Sequence, residues 1–137
     1  LLQFHPGYGS ILICDFNHQM VPEMVKKRPV VVISRKSSNS GLCTVVPLSN
    51  TVPTAIEPWH AMMSREHLPQ SMQGKDCWAK CDCLTTVCFA RLDRIKIKDP
   101  RTGARRYIAP KLHQADLNAI RSAILDYLGM SDLIRAR

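Results

Sequence analysis

The sequence predicts a mainly β protein: a small, strongly curved antiparallel sheet or SH3-like barrel, with one C-terminal helix packed on it. Three observations carry that expectation. Short runs rich in β-branched residues recur between turn signals, the clearest being Pro29-Val-Val-Val-Ile-Ser34 with four such residues in a row. One segment near the C-terminus, by contrast, places Leu112, Leu117, Ile120, Ala123, Ile124, Tyr127 and Leu128 on a single helical face. No repeat, low-complexity tract or composition break divides the 137 residues, so residues 1–137 are read as one domain long enough for a real core.

In chain order, residues 1–9 form a turn-rich lead-in with Pro6, Gly7 and Gly9. Residues 10–16, Ser-Ile-Leu-Ile-Cys-Asp-Phe, read as the first strand. Residues 17–28 form a polar loop that carries His18, Pro22 and Glu23 and ends in Lys26-Lys27-Arg28. The second strand is residues 29–34, and residues 35–41 (Arg-Lys-Ser-Ser-Asn-Ser-Gly) suit a hairpin connection. Residues 42–48 read as the third strand, with Pro47 marking its end or an edge. A fourth strand is expected within residues 56–62, a loop over 63–75 and a fifth strand over 76–82. Residues 84–89 read as a short strand or a helical turn. The alternation over 92–98 reads as a half-exposed strand, and residues 99–103 (Asp-Pro-Arg-Thr-Gly) as a turn. The helix is expected over 112–128, stopped by Gly129, with residues 130–137 either frayed or helical.

Composition narrows the function. Apolar residues make up 45%, which excludes a disordered chain. No apolar run approaches the roughly 18–20 residues that span a bilayer. The first residues, Leu1-Leu-Gln-Phe-His-Pro6, show no secretory leader. The expectation is therefore a cytoplasmic protein with no membrane partner, whose six cysteines stay reduced. A net charge of +8 favours an anionic partner, nucleic acid first and an acidic protein second.

Cys77-Trp-Ala-Lys-Cys-Asp-Cys83 invites a metal reading. On one straight strand, however, Cys77 and Cys81 would stand about 13 Å apart. Zinc needs each sulfur about 2.3 Å from the ion, so no metal and no cofactor are expected, and the cysteines read as core. Trp78, Lys80 and Asp82 then share the opposite face. In the polar loop, Arg28 offers a planar fork matched to phosphate, Lys27 adds field, and His18 is a further candidate contact. His5, His60, His67 and His113 read as ordinary surface histidines. A phosphate-cradling glycine loop, a Gly-x-Ser-x-Gly elbow and a His-Glu-x-x-His motif are all missing, which leaves dinucleotide, NTPase, hydrolase and zincin readings unsupported.

The pattern Gly9-x-Ile11, Asp15-Phe16, Glu23-x4-Arg28-Pro29-Val-Val-Val-Ile-Ser34 and Val45-Val-Pro-Leu-Ser49 resembles the PemK/MazF family of toxin endoribonucleases over about residues 7–128. Lys80-Cys81-Asp82 falls where that family has a basic residue, a spacer and an acid, and Arg91-x-x-Arg94 before a terminal helix is also similar. The resemblance implies a homodimer that cleaves single-stranded RNA without metal and is neutralised by a cognate antitoxin. It implies attack by the 2′-hydroxyl, giving 2′,3′-cyclic phosphate and 5′-hydroxyl ends. By position, Arg28 is the phosphate clamp, Ser49 a hydrogen-bond donor to the phosphate and Glu23 the candidate base. Lys80 and Asp82 supply a second cation and carboxylate, with Lys27 and His18 as further phosphate contacts. Two departures stand out: Pro22 occupies the place where some members carry a histidine before the matching Glu, and Lys80 the place of an arginine. A non-enzymatic toxin of the same fold, resembling gyrase poisons, and a basic RNA-binding module are the alternatives.

Overall fold

A computed structural model of the chain describes Leu2, residues 5–36 and residues 40–135. The described strands are β1 (Ile11–Asp15), β2 (Lys27–Val32), β3 (Leu42–Ser49), β4 (His60–Met62), β5 (Trp78–Lys80), β6 (Thr85–Cys88), β7 (Leu92–Asp93), β8 (Ile95–Lys98) and β9 (Arg105–Ile108). Two helices follow, α1 (Gln114–Tyr127) and α2 (Asp132–Arg135). Seven strands form an open antiparallel sheet in the order β4-β5-β3-β2-β1-β7, with β6 also pairing on β3, while β8 and β9 make a separate hairpin. The expected mainly β architecture with one substantial C-terminal helix is what the chain adopts, as an open sheet rather than a closed barrel.

The continuous apolar runs of β1 to β3 follow from burial on both faces. One face presents Ile11, Val31, Val46 and Leu48 to Leu117, Ile120 and Ala123 of α1. The other presents Leu12, Cys14, Val30, Val32 and Val45, covered by Phe16, Val87, Leu92 and Leu2. Helix α1 begins at His113, whose Nδ1 accepts the Ala115 N–H at 3.3 Å. It ends at Gly129 in the left-handed region (φ 72°), where the Met130 N–H reaches the Leu125 carbonyl at 2.7 Å and the Gly129 N–H that of Asp126 at 3.1 Å.

Several expectations change in detail. The fifth strand is only Trp78–Lys80: Cys81–Cys83 is a 3₁₀ turn, so the straight-strand geometry assumed for residues 76–82 does not hold. Cys77 and Cys81 are nevertheless core, while Cys83 is half-buried. The fourth strand shrinks to His60–Met62, and the expected 92–98 strand divides into β7 on the main sheet and β8 in the hairpin. Residues 84–89 hold both alternatives, strand β6 followed by a 3₁₀ turn at Phe89–Arg91. The 63–75 loop folds into two 3₁₀ turns, Arg65–His67 and Gln70–Met72, with Met63 and Leu68 buried. β9 was not expected at all. Residues 37–39 of the hairpin connection and residues 136–137 of the tail lie outside the described residues.

All six cysteines are free thiols. Burial pushes Cys14 and Cys81 up to about 12, and Cys43 and Cys77 up to about 11, from the ordinary 9.0. The folded chain therefore holds these protons to higher pH than the unfolded chain does. The associated stability is whole below pH 9 and is lost as pH rises from 9 toward 11–12. Urea unfolding should show a midpoint that falls between pH 9 and 11, with a shallower fall in Cys14→Ala.

Candidate active site

The candidate site follows from strand alternation. On β2, Arg28, Val30 and Val32 share one face, and Val31 turns to the helix. Arg28 stands opposite Cys14 of β1, and Cys14 opposite Leu92 of β7. On the other edge, β2 pairs Val30 with Pro47 and Val32 with Val45 of β3. Continued two places, that register runs from Arg28 to Ser49. Ser49 in turn stands opposite Trp78 of β5, and Trp78 opposite Met62 of β4. Arg28, Ser49 and Trp78 thus fall in one transverse row on the sheet face turned away from α1. Lys80 lies two residues further along β5 on the same face, opposite His60.

The row is rich in hydrogen-bond donors. Ser49 is 3% exposed, and its hydroxyl oxygen accepts the Thr51 N–H at 3.1 Å, which leaves its own proton to give. Arg28 Nε and Trp78 Nε1 are buried donors with no hydrogen-bond partner. Unsatisfied buried donors are uncommon and costly, and an anionic oxygen on this face would satisfy them.

Beyond Lys80 the chain turns sharply. Cys81 goes inward, its N–H donating to the Trp59 carbonyl at 3.2 Å and its Sγ lying 3.9 Å from the Ile120 carbonyl. That inward anchor pushes Asp82 outward, where Oδ1 lies 3.7 Å from His60 Nε2. The His60 side chain is 8% exposed, so it is not the surface histidine expected from sequence. Sequence offered no signal to separate it from the other four, since its partners come only from the β4–β5 register and the turn after β5.

The loop residues sit differently. Glu23 is exposed and closes its own loop: its carboxylate accepts the Met20 N–H at 2.9 Å, and its N–H donates to the Met20 carbonyl at 2.7 Å. His18 is exposed. Lys27 alternates away from Arg28, opposite Asp15, and lines a separate open groove of about 350 Å³ with Arg91, Arg94 and Tyr107. The structure therefore brings Arg28, Ser49 and Lys80 to one face, with Asp82 joined to Lys80 through His60. It does not bring Lys27 there. Among the described residues, Glu23 and His18 make no hydrogen bond or ion pair to the others. Nor are any three His, Cys, Asp or Glu among the described residues grouped to hold a metal ion.

Residues 8–127 match the family model described as PemK-like, MazF-like toxin of type II toxin–antitoxin system. A Haemophilus influenzae protein described as uncharacterized is 30% identical over 142 residues, covering 90% of this chain and 96% of its own length. Among solved structures, MazF from Deinococcus radiodurans has a TM-score of 0.65 at 18% identity, covering 93% of this chain and all of its own. An endoribonuclease in complex with its cognate antitoxin, from a mycobacterial species, scores 0.62 at 17% identity, covering 92% of this chain and 97% of its own. These solved structures share the fold.

Ser49→Ala removes the acceptor of the Thr51 N–H and leaves that donor unpaired. Its unfolding free energy, from urea titration, should fall by about 1 kcal/mol, and Ser49→Thr should recover most of the loss.

Proposed function

This chain belongs to the PemK/MazF family of toxins of type II toxin–antitoxin systems, and on that premise we propose that it is a metal-independent endoribonuclease acting on single-stranded RNA. The observation that carries the reading is the pair of unpartnered buried donors, Arg28 Nε and Trp78 Nε1, in one row with the Ser49 hydroxyl. A scissile phosphate is an oxyanion of the right chemistry for that row, and the +8 net charge draws RNA toward it.

The reaction needs a base for the 2′-hydroxyl, donors for the crowded phosphorane and a proton for the leaving 5′-oxygen. Arg28 clamps the phosphate with its fork and is too basic to be a proton donor. Ser49 donates to a second phosphate oxygen. Asp82 takes the 2′-hydroxyl proton, and the 2′-oxygen then bonds to phosphorus. The Lys80 ammonium on the same face stabilises the added charge and gives a proton to the departing 5′-oxygen. The products are a 2′,3′-cyclic phosphate and a 5′-hydroxyl. Asp82 is preferred to Glu23 as the base because the Glu23 carboxylate is engaged in closing its own loop. Lys27 and His18, off this face or on its approach loop, are left to contacts with flanking phosphates.

Family membership also supports a homodimer, a cognate antitoxin that neutralises it and a cytoplasmic place of action. No helix among the described residues is long and apolar enough to cross a membrane.

The purified protein should cleave single-stranded RNA in excess EDTA and leave cyclic phosphate ends. Arg28→Ala should lower the rate by about 100-fold or more with an unchanged circular dichroism spectrum. Undiminished cleavage by the variant would overturn the site. Gyrase inhibition without RNA cleavage would favour the non-enzymatic reading.

A further inference from the structure

Asp82 has a partner that neither the composition nor the motif pattern assigned. Its Oδ1 lies 3.7 Å from His60 Nε2, and the imidazole is nearly sealed from solvent. The other ring nitrogen is already committed, since His60 Nδ1 accepts the Glu57 N–H at 3.0 Å. An imidazole that accepts at Nδ1 carries its proton at Nε2. The Nε2–H is therefore a donor on the side of the ring where Asp82 Oδ1 lies 3.7 Å away.

Both ends of this contact are fixed by the backbone. The His60 N–H donates to the Glu57 carbonyl at 3.0 Å, and His60 is paired with Lys80 in the β4–β5 ladder. The turn that carries Asp82 is tied by the Cys81 N–H to the carbonyl of Trp59, the residue just before His60. The Trp59 ring in turn packs edge-on against His60 and against Tyr127 of α1, at centroid distances of 6.2 and 5.5 Å. A carboxylate on an exposed turn would otherwise rotate freely. Here two side chains flank it: His60 Nε2 lies 3.7 Å from Oδ1, and the Cys83 thiol donates to the same carboxylate. The gap of 3.7 Å exceeds hydrogen-bonding distance, and catalytic contacts commonly tighten when substrate binds.

We propose that His60 is a positioning residue for Asp82: its Nε2–H, held in place by the Glu57 backbone, orients the carboxylate that takes the 2′-hydroxyl proton. This rests on the ribonuclease reading above. The orientation is Asp82 toward substrate and His60 behind it, so the histidine itself touches no RNA.

Two isosteric variants separate positioning from structural support. His60→Asn places an amide oxygen near Nδ1 and keeps the Glu57 contact but loses the donor to Asp82. His60→Gln places an amide nitrogen near Nε2 and keeps that donor. In RNA cleavage assays, His60→Asn should lower kcat by about 10- to 100-fold with KM little changed, and His60→Gln should recover most of that loss. In an Asp82→Asn background the two variants should be indistinguishable. Equal losses in both single variants, a change confined to KM, or a His60→Asn variant as active as the wild type would overturn the proposal. If the wild-type chain cleaves no RNA, the ribonuclease reading falls on its own. The pairing is then judged by nitrogen-15 NMR of the imidazole. It stands if His60 is the Nε2–H tautomer and its Nε2 resonance moves in Asp82→Ala. It falls if the ring carries its proton on Nδ1 or ignores the substitution.

Discussion

Strand β3 pairs along one edge with β2 and along the other with two strands in succession. Its first half, Leu42 to Val45, takes β6, and its end, Leu48 and Ser49, takes β5. One strand cannot lie flat against two neighbours that approach from different directions, so the sheet divides and curves at this point. The end of β3 is therefore where Ser49 meets Trp78, and where the row from Arg28 passes onto the smaller limb formed by β5 and β4. The polar groups of the candidate site, Arg28, Ser49 and Lys80, stand at or near the ends of β2, β3 and β5.

What could be read from sequence tracks this burial. β1, β2, β3 and α1 were legible because two-sided burial leaves continuous β-branched runs and one-sided burial leaves a helical stripe. β9 was not, since Arg105, Arg106 and Tyr107 are all exposed and carry no alternation of apolar and polar residues. β5 was overextended because Cys77, Ala79 and Cys81 keep the period of a strand although the chain has already turned at Cys81. In the candidate site, the positions of Arg28, Ser49, Lys80 and Asp82 were readable by motif. The contact between His60 and Asp82 was not, because it depends on a ladder of three residues and one 3₁₀ turn that share no local signal.

The two carboxylates singled out by the motif have contrasting environments. Glu23 hydrogen-bonds back onto its own loop and shapes the entry into β2. Asp82 faces a sealed imidazole and stands on a turn pinned to the helix layer. A carboxylate engaged by its own backbone stabilises a loop; Asp82 is instead flanked by side chains and stays partly exposed. Arg28 and Lys80 likewise differ: the first reaches the row through a partly buried, planar group, and the second brings a compact charge that tolerates rotation.

The alternation of β2 also bears on how such a chain can change over generations. Val30, Val31 and Val32 are all fully buried, two toward one face and one toward the other. Apolar replacements there are judged mainly by volume. A one-residue insertion just before Arg28 is judged otherwise. Packing could survive the slip, since valine would still meet valine, but Arg28 would turn to the helix side and a neighbour would take its place. What holds the frame is outside the strand centre: the Gly9 N–H on the Val32 carbonyl at 2.7 Å and the Val32 N–H on the Ser10 carbonyl at 3.0 Å. A change of volume in the valines is met by repacking, whereas a change of register at Val32 re-aims Arg28.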